Sequence, residues 1–192
     1  MNVIQDGKGK GYSAEVDSIN RLLVKAISQS RVSDISNRTE KAFLLASDYI
    51  SLTTTASFNG LIYIKNTSDD TLYIGKIRTC SDASGNVQVK IVRNPSTGTL
   101  VSDANAASQY SANFGSSEAF GGLAYSASGD GKTITDGNDA TQFINHSPGH
   151  SIQDYEGSLV IPKGQSFALT AKPSASMTIC VEIQCWFEGE EV

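Results

Sequence analysis

The sequence predicts an all-β fold, a β-sandwich of the jelly-roll or immunoglobulin-like type with an extended N-terminal arm. Three observations predict it. From about residue 57 onward, apolar and polar side chains alternate with a period of two. Turn-forming Gly, Pro, Asn and Asp residues interrupt that alternation at short intervals. A helical spacing near 3.6 does not persist there. Because 192 residues suit one domain with an appendage, we expect an arm over residues 1–50 and a sandwich over residues 51–192.

The arm begins with a glycine-lysine run and continues into an apolar segment. Gly7, Gly9 and Gly11 alternate with two lysines. Residues 17–28 fit two structures. Ile19, Leu22 and Ile27 lie on one helical face, whereas Leu22, Val24 and Ala26 alternate as in a strand. Both alternatives remain open. A second, weaker helical pattern covers residues 37–47.

The first strands of the sandwich follow the arm. Residues 58–66 and 71–80 are apolar runs separated by a polar turn, which predicts a hairpin. Ile77 is out of phase with the strand before it, so we expect a β-bulge at Gly75 that returns Ile77 to the core. Residues 86–92 alternate again and end in turn-forming residues.

The middle of the chain, residues 94–156, is rich in Ser, Gly, Ala, Asn and Asp, with aromatic residues at intervals. A structureless segment of this length would be unusual in a compact domain. We therefore expect short strands joined by extended loops at one end of the sandwich.

The C-terminal region gives the clearest strand pattern. Residues 177–187 alternate over their whole length, and the predicted partner strand is residues 166–172. Trp186 falls on the polar face of the last strand. An exposed tryptophan is typical of a contact surface, so Trp186 is a candidate interface residue. The alternative is that loops from residues 94–156 cover it.

Composition excludes several classes of protein. Residues 1–50 carry seven Lys/Arg and six Asp/Glu, whereas the rest carries eight and fourteen. Such an acidic body argues against nucleic-acid binding. We expect no membrane segment, because no apolar stretch approaches the roughly 18–20 residues that a span requires, and no secretory signal. Cys80, Cys180 and Cys185 are too few for a disulfide framework, so we expect buried, reduced thiols.

The motifs that resemble catalytic or ligand-binding sites are incomplete. The run at Gly7 lacks the lysine of a phosphate-binding loop, and residues 126–133 lack both its first glycine and the flanking strand and helix. His146, His150 and Asp154 are four residues apart, but Pro148 interrupts any helix there. The carboxylates Asp130, Asp136 and Asp139 lack the spacing of a calcium loop. We therefore expect no enzyme activity, cofactor or metal.

Several motifs resemble a family of small virion proteins encoded by tailed bacteriophages. The arm motif comprises Asp6, Gly7, Gly9, Ala14, Val16, Asp17, Asn20, Arg21 and Leu22. Further matches are Tyr-Ile-Lys-Asn at 63–66, Arg-Asn-Pro at 93–95, Ser-Pro-Gly at 147–149 and Pro-Lys-Gly at 162–164. The resemblance spans nearly the whole chain. It implies a β-sandwich that resides in the virion, after assembly in the host cytoplasm, rather than catalysis.

The expected function is therefore a bacteriophage virion structural protein, a capsid decoration or cement protein that assembles through its arm as a homo-oligomer and with other virion proteins. The predicted partner-binding residues of the arm are Gly7, Gly9, Gly11, Ile19, Arg21, Leu22 and Ile27. An alternative is a neck, collar or tail adaptor that anchors a fibre. Alternatives of other classes are a carbohydrate-binding module and a small hydrolase that uses His146 and His150. Candidate sugar-binding aromatics are Tyr110, Phe114, Tyr125 and Tyr155.

Overall fold

The protein is described by a computed structural model that covers residues 4–5, 13–14, 30–53, 56–103, 105–128 and 132–189. The chain divides into two units, Met1–Ser30 and Arg31–Val192. In the first unit, β1 (Ile4–Gln5) pairs antiparallel with β2 (Ser13–Ala14). The division at Ser30 corrects the predicted boundary after residue 50, because residues 31–50 contribute a helix and a strand to the second unit.

The second unit is built almost entirely of antiparallel strands. In chain order its described elements are α1 (Arg31–Arg38), β3 (Ala42–Ala46), β4 (Ile50–Leu52), β5 (Asn59–Asn66), β6 (Thr71–Arg93), β7 (Ser108–Ser111), β8 (Gly122–Ser126), β9 (Asn138–Ile161), β10 (Ser166–Pro173) and β11 (Met177–Glu188). Strands β6 and β9 have 23 and 24 residues, far longer than an ordinary strand. They pair along their whole length, with a register shift where Ser81 and Gly85 face Gly149 and Ser147. Each long strand therefore contributes one half to each of two packed sheets.

The strand order is that of a jelly roll. Sheet A runs β7–β3–β11–β6–β9, with the first half of β6 and the second half of β9. Sheet B runs β8–β5–β10–β6–β9, with the other halves. To compare this order with a jelly roll, we count β3 and β4 as one strand, because both pair with β11, count the halves of β6 and β9 separately, and set aside the edge strands β7 and β8. Numbered along the chain, the eight strands then run 1-8-3-6 in sheet A and 2-7-4-5 in sheet B. This confirms the predicted all-β sandwich and selects the jelly-roll alternative.

The core lies between the two sheets and follows the predicted alternation. In β11, Met177, Ile179, Val181 and Ile183 are buried, as expected from their period of two. The bulge at Gly75 is confirmed, because Gly75 is skipped in the pairing of β6 with both β9 and β11, and Ile77 is completely buried beyond it. Aromatic rings close one region of the core, where the rings of Phe43, Phe120 and Phe187 have centroids 5.3–6.0 Å apart.

The strand pairings differ from the sequence prediction. Strand β5 lies in sheet B and the first half of β6 lies in sheet A, so the two do not form a hairpin. Strand β10 pairs with β5 and with the second half of β6 rather than with β11. The buried side chain of Asn66 explains the first difference. Its amide group donates to the backbone oxygens of Asp70 and Ile161, both at 2.9 Å, and its oxygen accepts from the Ser68 N–H. These bonds hold a corner at which the chain crosses from one sheet to the other.

The described residues contain one short helix, and none of their helices is long and apolar enough to cross a membrane. Helix α1 ends where Thr39 donates its N–H to the Ile35 oxygen at 2.9 Å and Glu40 adopts a φ of 59°. The weak helix expected over residues 37–47 is therefore wrong. Phe43 and Leu45 are buried in the core, and their strand pairs with β11. Tertiary pairing overrides the local preference there.

The segment between β6 and β9 contributes an edge strand to each sheet. Strand β7 extends sheet A beside β3, and β8 extends sheet B beside β5. Short strands and loops were expected over residues 94–156. The expectation is correct up to about residue 137 and wrong beyond it, since Asn138–Ile161 is one strand.

Candidate functional site

The predicted arm residues Gly7, Gly9, Gly11, Ile19, Arg21, Leu22 and Ile27 all lie outside the described residues. The helix and strand alternatives for residues 17–28 lie there as well. Only the short pairing of β1 with β2, on either side of the glycine-lysine run in sequence, is described in that unit. The role of the predicted arm residues in partner binding therefore stays a prediction.

Trp186 is buried rather than exposed, which corrects the expectation of a solvent-facing contact residue. Its side chain lies on the outer face of sheet A and is only 3% exposed. The cover comes from α1, whose Ile35 packs with Trp186 and Ala42 in a small apolar cluster. The indole stacks on Tyr73 with ring centroids 5.9 Å apart and an angle of 11° between the rings. Among the described residues of the predicted loops over 94–156, Ala112 is the apolar residue that packs against this cluster.

Two glycines make room for the indole of Trp186. A Cβ on Gly75 would lie 2.7 Å from Cζ3 of the indole, and a Cβ on Gly157 would lie 2.7 Å from Cζ2 and 2.8 Å from Cη2. The indole N–H donates to the Glu188 carboxylate at 3.3 Å, and Glu188 also pairs with Arg31 at the start of α1. This cluster attaches the helix to the sheet, so Trp186 has a structural role.

A second feature of sheet A is a row of reactive side chains on its outer face, which we call the thiol face. Cys180 of β11 is directly opposite Cys80 of β6, and Cys80 is directly opposite His150 of β9. Two residues further along each strand, on the same face, Glu182 of β11 is opposite Arg78 of β6, and Arg78 is opposite Ile152 of β9. Sequence reasoning missed this set, because its members are about 30 and 70 residues apart along the chain and meet only through strand pairing.

The side chains of the thiol face line an open concavity of about 540 Å³. Arg78 and Glu182 form an ion pair at 3.5 Å across its floor. Tyr49, which is 82% exposed, rises at its edge beside Asp48. Cys80 is exposed and Cys180 is half-buried. This corrects the expectation of three buried thiols.

The three thiols differ in their environments. Burial raises the pKa of the Cys180 thiol, and the neighbouring Cys80 thiol raises it further. Complete burial raises the pKa of Cys185 much more, and its sulfur faces the backbone oxygen of Phe43 at 3.8 Å. Cys185 is therefore an inert core residue. Cys80 and Cys180 remain the thiols within reach of a reagent.

The two histidines lie on a strand rather than on a loop. His146 pairs its ring Nδ1 with the Asn86 side chain at 2.9 Å, and Asp154 forms an ion pair with Lys76 at 3.2 Å. His150 stands on the thiol face between these positions. The structure therefore separates the three residues along β9. In the described part of the chain, no group of three or more His, Cys, Asp or Glu residues is placed to hold a metal ion.

Of the three carboxylates considered for calcium binding, Asp136 anchors a turn. Asp136 accepts hydrogen bonds from the Ser96 hydroxyl at 2.6 Å and from the N–H groups of Ser96 and Thr97 at 2.9 Å each. These bonds lower its pKa from 3.8 to about 2. Asp139 forms an ion pair with Lys90 at 2.6 Å, and Asp130 lies outside the described residues.

The aromatic residues considered for sugar binding do not form one surface. Tyr125 stacks on Tyr63, and Tyr155 packs against the core with its pKa raised by burial. Tyr110 and Phe114 are 58% and 94% exposed and line a shallow depression beside β7. A sugar platform could therefore use two of the four candidates.

A larger open cleft of about 730 Å³ is lined by residues from both ends of β9, from the end of β6 and from the start of β10. Ile91, Phe167, Leu159 and Ile161 contribute apolar side chains to it, and Arg93 contributes a charge. It is mostly apolar, and its described lining residues include no set of catalytic groups.

In comparisons with known proteins, no protein-family model matches the chain and no curated protein is significantly similar to it in sequence.

Proposed function

We propose that this chain is a structural protein of a tailed-bacteriophage virion, a capsid decoration or cement protein that joins the particle through its N-terminal arm. The observation that carries the proposal is the division of the chain at Ser30. The jelly roll from Arg31 onward has its own core, and the motif-bearing arm is a separate unit. A body with its own core, together with an arm that binds a neighbouring subunit, suits assembly on a particle.

The surface of the jelly roll supports contacts through its faces rather than through added strands. Among the described strands β9 pairs only with β6, so one of its long edges has no described partner, but this edge carries Pro148 and the acidic residues Asp154 and Glu156. Proline and charges on an edge strand discourage pairing with another sheet. On the same strand, Ile152 and Val160 are 48% and 49% exposed. These apolar side chains fit lateral packing against other virion subunits or a second copy.

The charges favour a protein partner. The whole chain has a formal net charge of −5, and an acidic body does not suit nucleic-acid binding. The arm lysines then serve to attract an acidic surface of a neighbouring subunit. In this proposal the chain is not an enzyme and needs no cofactor.

Removal of residues 1–30 tests the proposal. We expect the truncated chain to keep its β-rich circular dichroism spectrum and its cooperative unfolding, but to be absent from purified particles. A chain whose arm is replaced by a Gly/Ser segment of equal length controls for length and should also be absent. Normal incorporation of either variant would refute the role of the arm.

Particle imaging separates the two virion locations. Density for the protein over the whole capsid lattice would support the decoration role. Density only at the vertex that carries the tail would instead assign it to the neck, collar or tail adaptor, and would overturn the capsid proposal.

A further inference from the structure

The thiol face contains two cysteines in a position suited to a covalent bond. Cys80 and Cys180 are on neighbouring antiparallel strands and directly opposite each other. Their side chains emerge on the same, outer face of sheet A, where both line the open concavity. Directly opposed side chains in such a pair have Cβ atoms about 4.5–5.5 Å apart.

The backbone bonding fixes which kind of pair this is. The N–H and oxygen of Val181 point toward β3, since Val181 donates to the Ser47 hydroxyl and accepts from the Ser47 N–H, both at 2.9 Å. The backbone groups of Cys180 therefore point the other way, toward Cys80, which makes the two residues a hydrogen-bonded pair. Such pairs have Cα atoms about 5.5 Å apart. Disulfides span Cα separations of about 4.4–6.8 Å, a range that includes this pair, but they bring the Cβ atoms to about 3.5–4.5 Å, so bond formation requires a small local adjustment of the two strands.

We propose that Cys80 and Cys180 are a redox-active dithiol that forms a reversible cross-strand disulfide with a low-molecular-weight disulfide, such as oxidised glutathione, as the oxidant. This inference stands independently of the virion role, because it rests only on the described jelly roll. It assigns Cys80 as the attacking thiol and Cys180 as the resolving thiol.

The chemistry balances in two exchange steps. The Cys80 thiolate attacks one sulfur of the oxidant, which breaks the S–S bond of the oxidant, forms a mixed disulfide and releases one thiol. The Cys180 thiolate then attacks the Cys80 sulfur, which forms the protein disulfide and releases the second thiol. Two protons and two electrons pass from the protein to the oxidant, which is reduced to two thiols.

The order of the steps follows from exposure. Cys80 is exposed and can meet a dissolved reagent, whereas Cys180 is half-buried and its raised pKa leaves less thiolate at neutral pH. Once Cys80 carries the mixed disulfide, Cys180 is the nearest thiol.

The test uses the full-length chain, reduced and then incubated with oxidised glutathione. We expect the count of free thiols in denaturant to fall from three to one, with the intact mass lower by two hydrogen atoms and no glutathione attached. Peptide mapping should place the bond between Cys80 and Cys180, and dithiothreitol should restore all three thiols.

Single variants identify the roles. Cys180→Ser should stop at a glutathione adduct on Cys80, whereas Cys80→Ser should react several-fold more slowly. Cys185→Ser is the matched control and should still lose two thiols. If the wild-type chain accumulates glutathione adducts, forms disulfide-linked dimers or keeps all three thiols, the proposed pair is wrong. These measurements on the wild-type chain test the proposed disulfide even if a variant fails to fold.

Discussion

The fit between Trp186 and Gly157 can be tested with a single methyl group. Gly157 has a φ of 83°, in the region that favours glycine, and a Cβ there would lie 2.7 Å from the indole. Both the backbone angle and the contact oppose Gly157→Ala. We therefore expect this substitution to destabilise the jelly roll and to loosen the packing of α1 over sheet A.

The expected magnitude is the sum of two effects. A non-glycine residue in the left-handed region costs about 1–2 kcal/mol. An extra methyl group in a well-packed cluster costs about 1–3 kcal/mol. The total is about 2–5 kcal/mol, and for a chain of this size each kcal/mol lowers the melting temperature by about 2–4 °C.

Gly164→Ala is the matched control. Gly164 has a similar φ of 79°, but nothing lies within 4 Å of the position that its Cβ would occupy. This variant should show only the backbone cost, about 1–2 kcal/mol. The difference between the two variants then measures the contact with Trp186.

The assay is urea-induced unfolding followed by tryptophan fluorescence. Trp186 is the single tryptophan of the chain, so its emission reports directly on this cluster. Trp186→Phe removes the atoms that the new methyl group would meet, and in that background Gly157→Ala should cost no more than Gly164→Ala, as measured by circular dichroism. Equal destabilisation by the two alanine variants in the wild-type background would refute the packing argument.

Three further outcomes follow from the described contacts. The buried hydroxyl of Thr79 has no hydrogen-bond partner among the described residues, so Thr79→Val should stabilise the protein by about 1 kcal/mol in thermal unfolding, whereas exposed Thr141→Val should change little; a loss of stability at Thr79 would contradict this. Because the pKa of Asp136 is lowered from 3.8 to about 2, its contribution is present above pH 3.8 and is lost as the pH falls toward 2. Melting temperatures of Asp136→Asn should therefore depend less on pH in that interval, and an unchanged profile would argue against the turn bonds. Oxidation of Cys80 and Cys180 closes a long loop, so the melting temperature should rise, by at most the equivalent of about 4–5 kcal/mol; a fall would indicate strain in the disulfide.

Local patterns were sufficient for the features that depend on one strand at a time. The alternation in β11 predicted which of its side chains enter the core, and the phase change before Ile77 predicted the bulge at Gly75. Both features follow from the period of two, in which each residue's face is set by its neighbours in sequence. The fold class follows from the same pattern.

Pairing between strands could not be predicted in this way. Residues 58–66 and 71–80 have the pattern of a hairpin, yet they lie in opposite sheets, because the side chain of Asn66 holds a corner between them. The length of β9 was also missed, since its polar sequence resembles that of a loop. Its partner β6 supplies the hydrogen bonds that keep it extended.

The periodicity of single strands thus reveals an all-β chain and its buried faces, since that information is local. The neighbours of each strand come from contacts between residues far apart in sequence. Only the folded chain could therefore bring α1 over Trp186 and place Cys80 opposite Cys180. The alternation around these residues shows which way each side chain points, but it carries no information about what lies across the sheet.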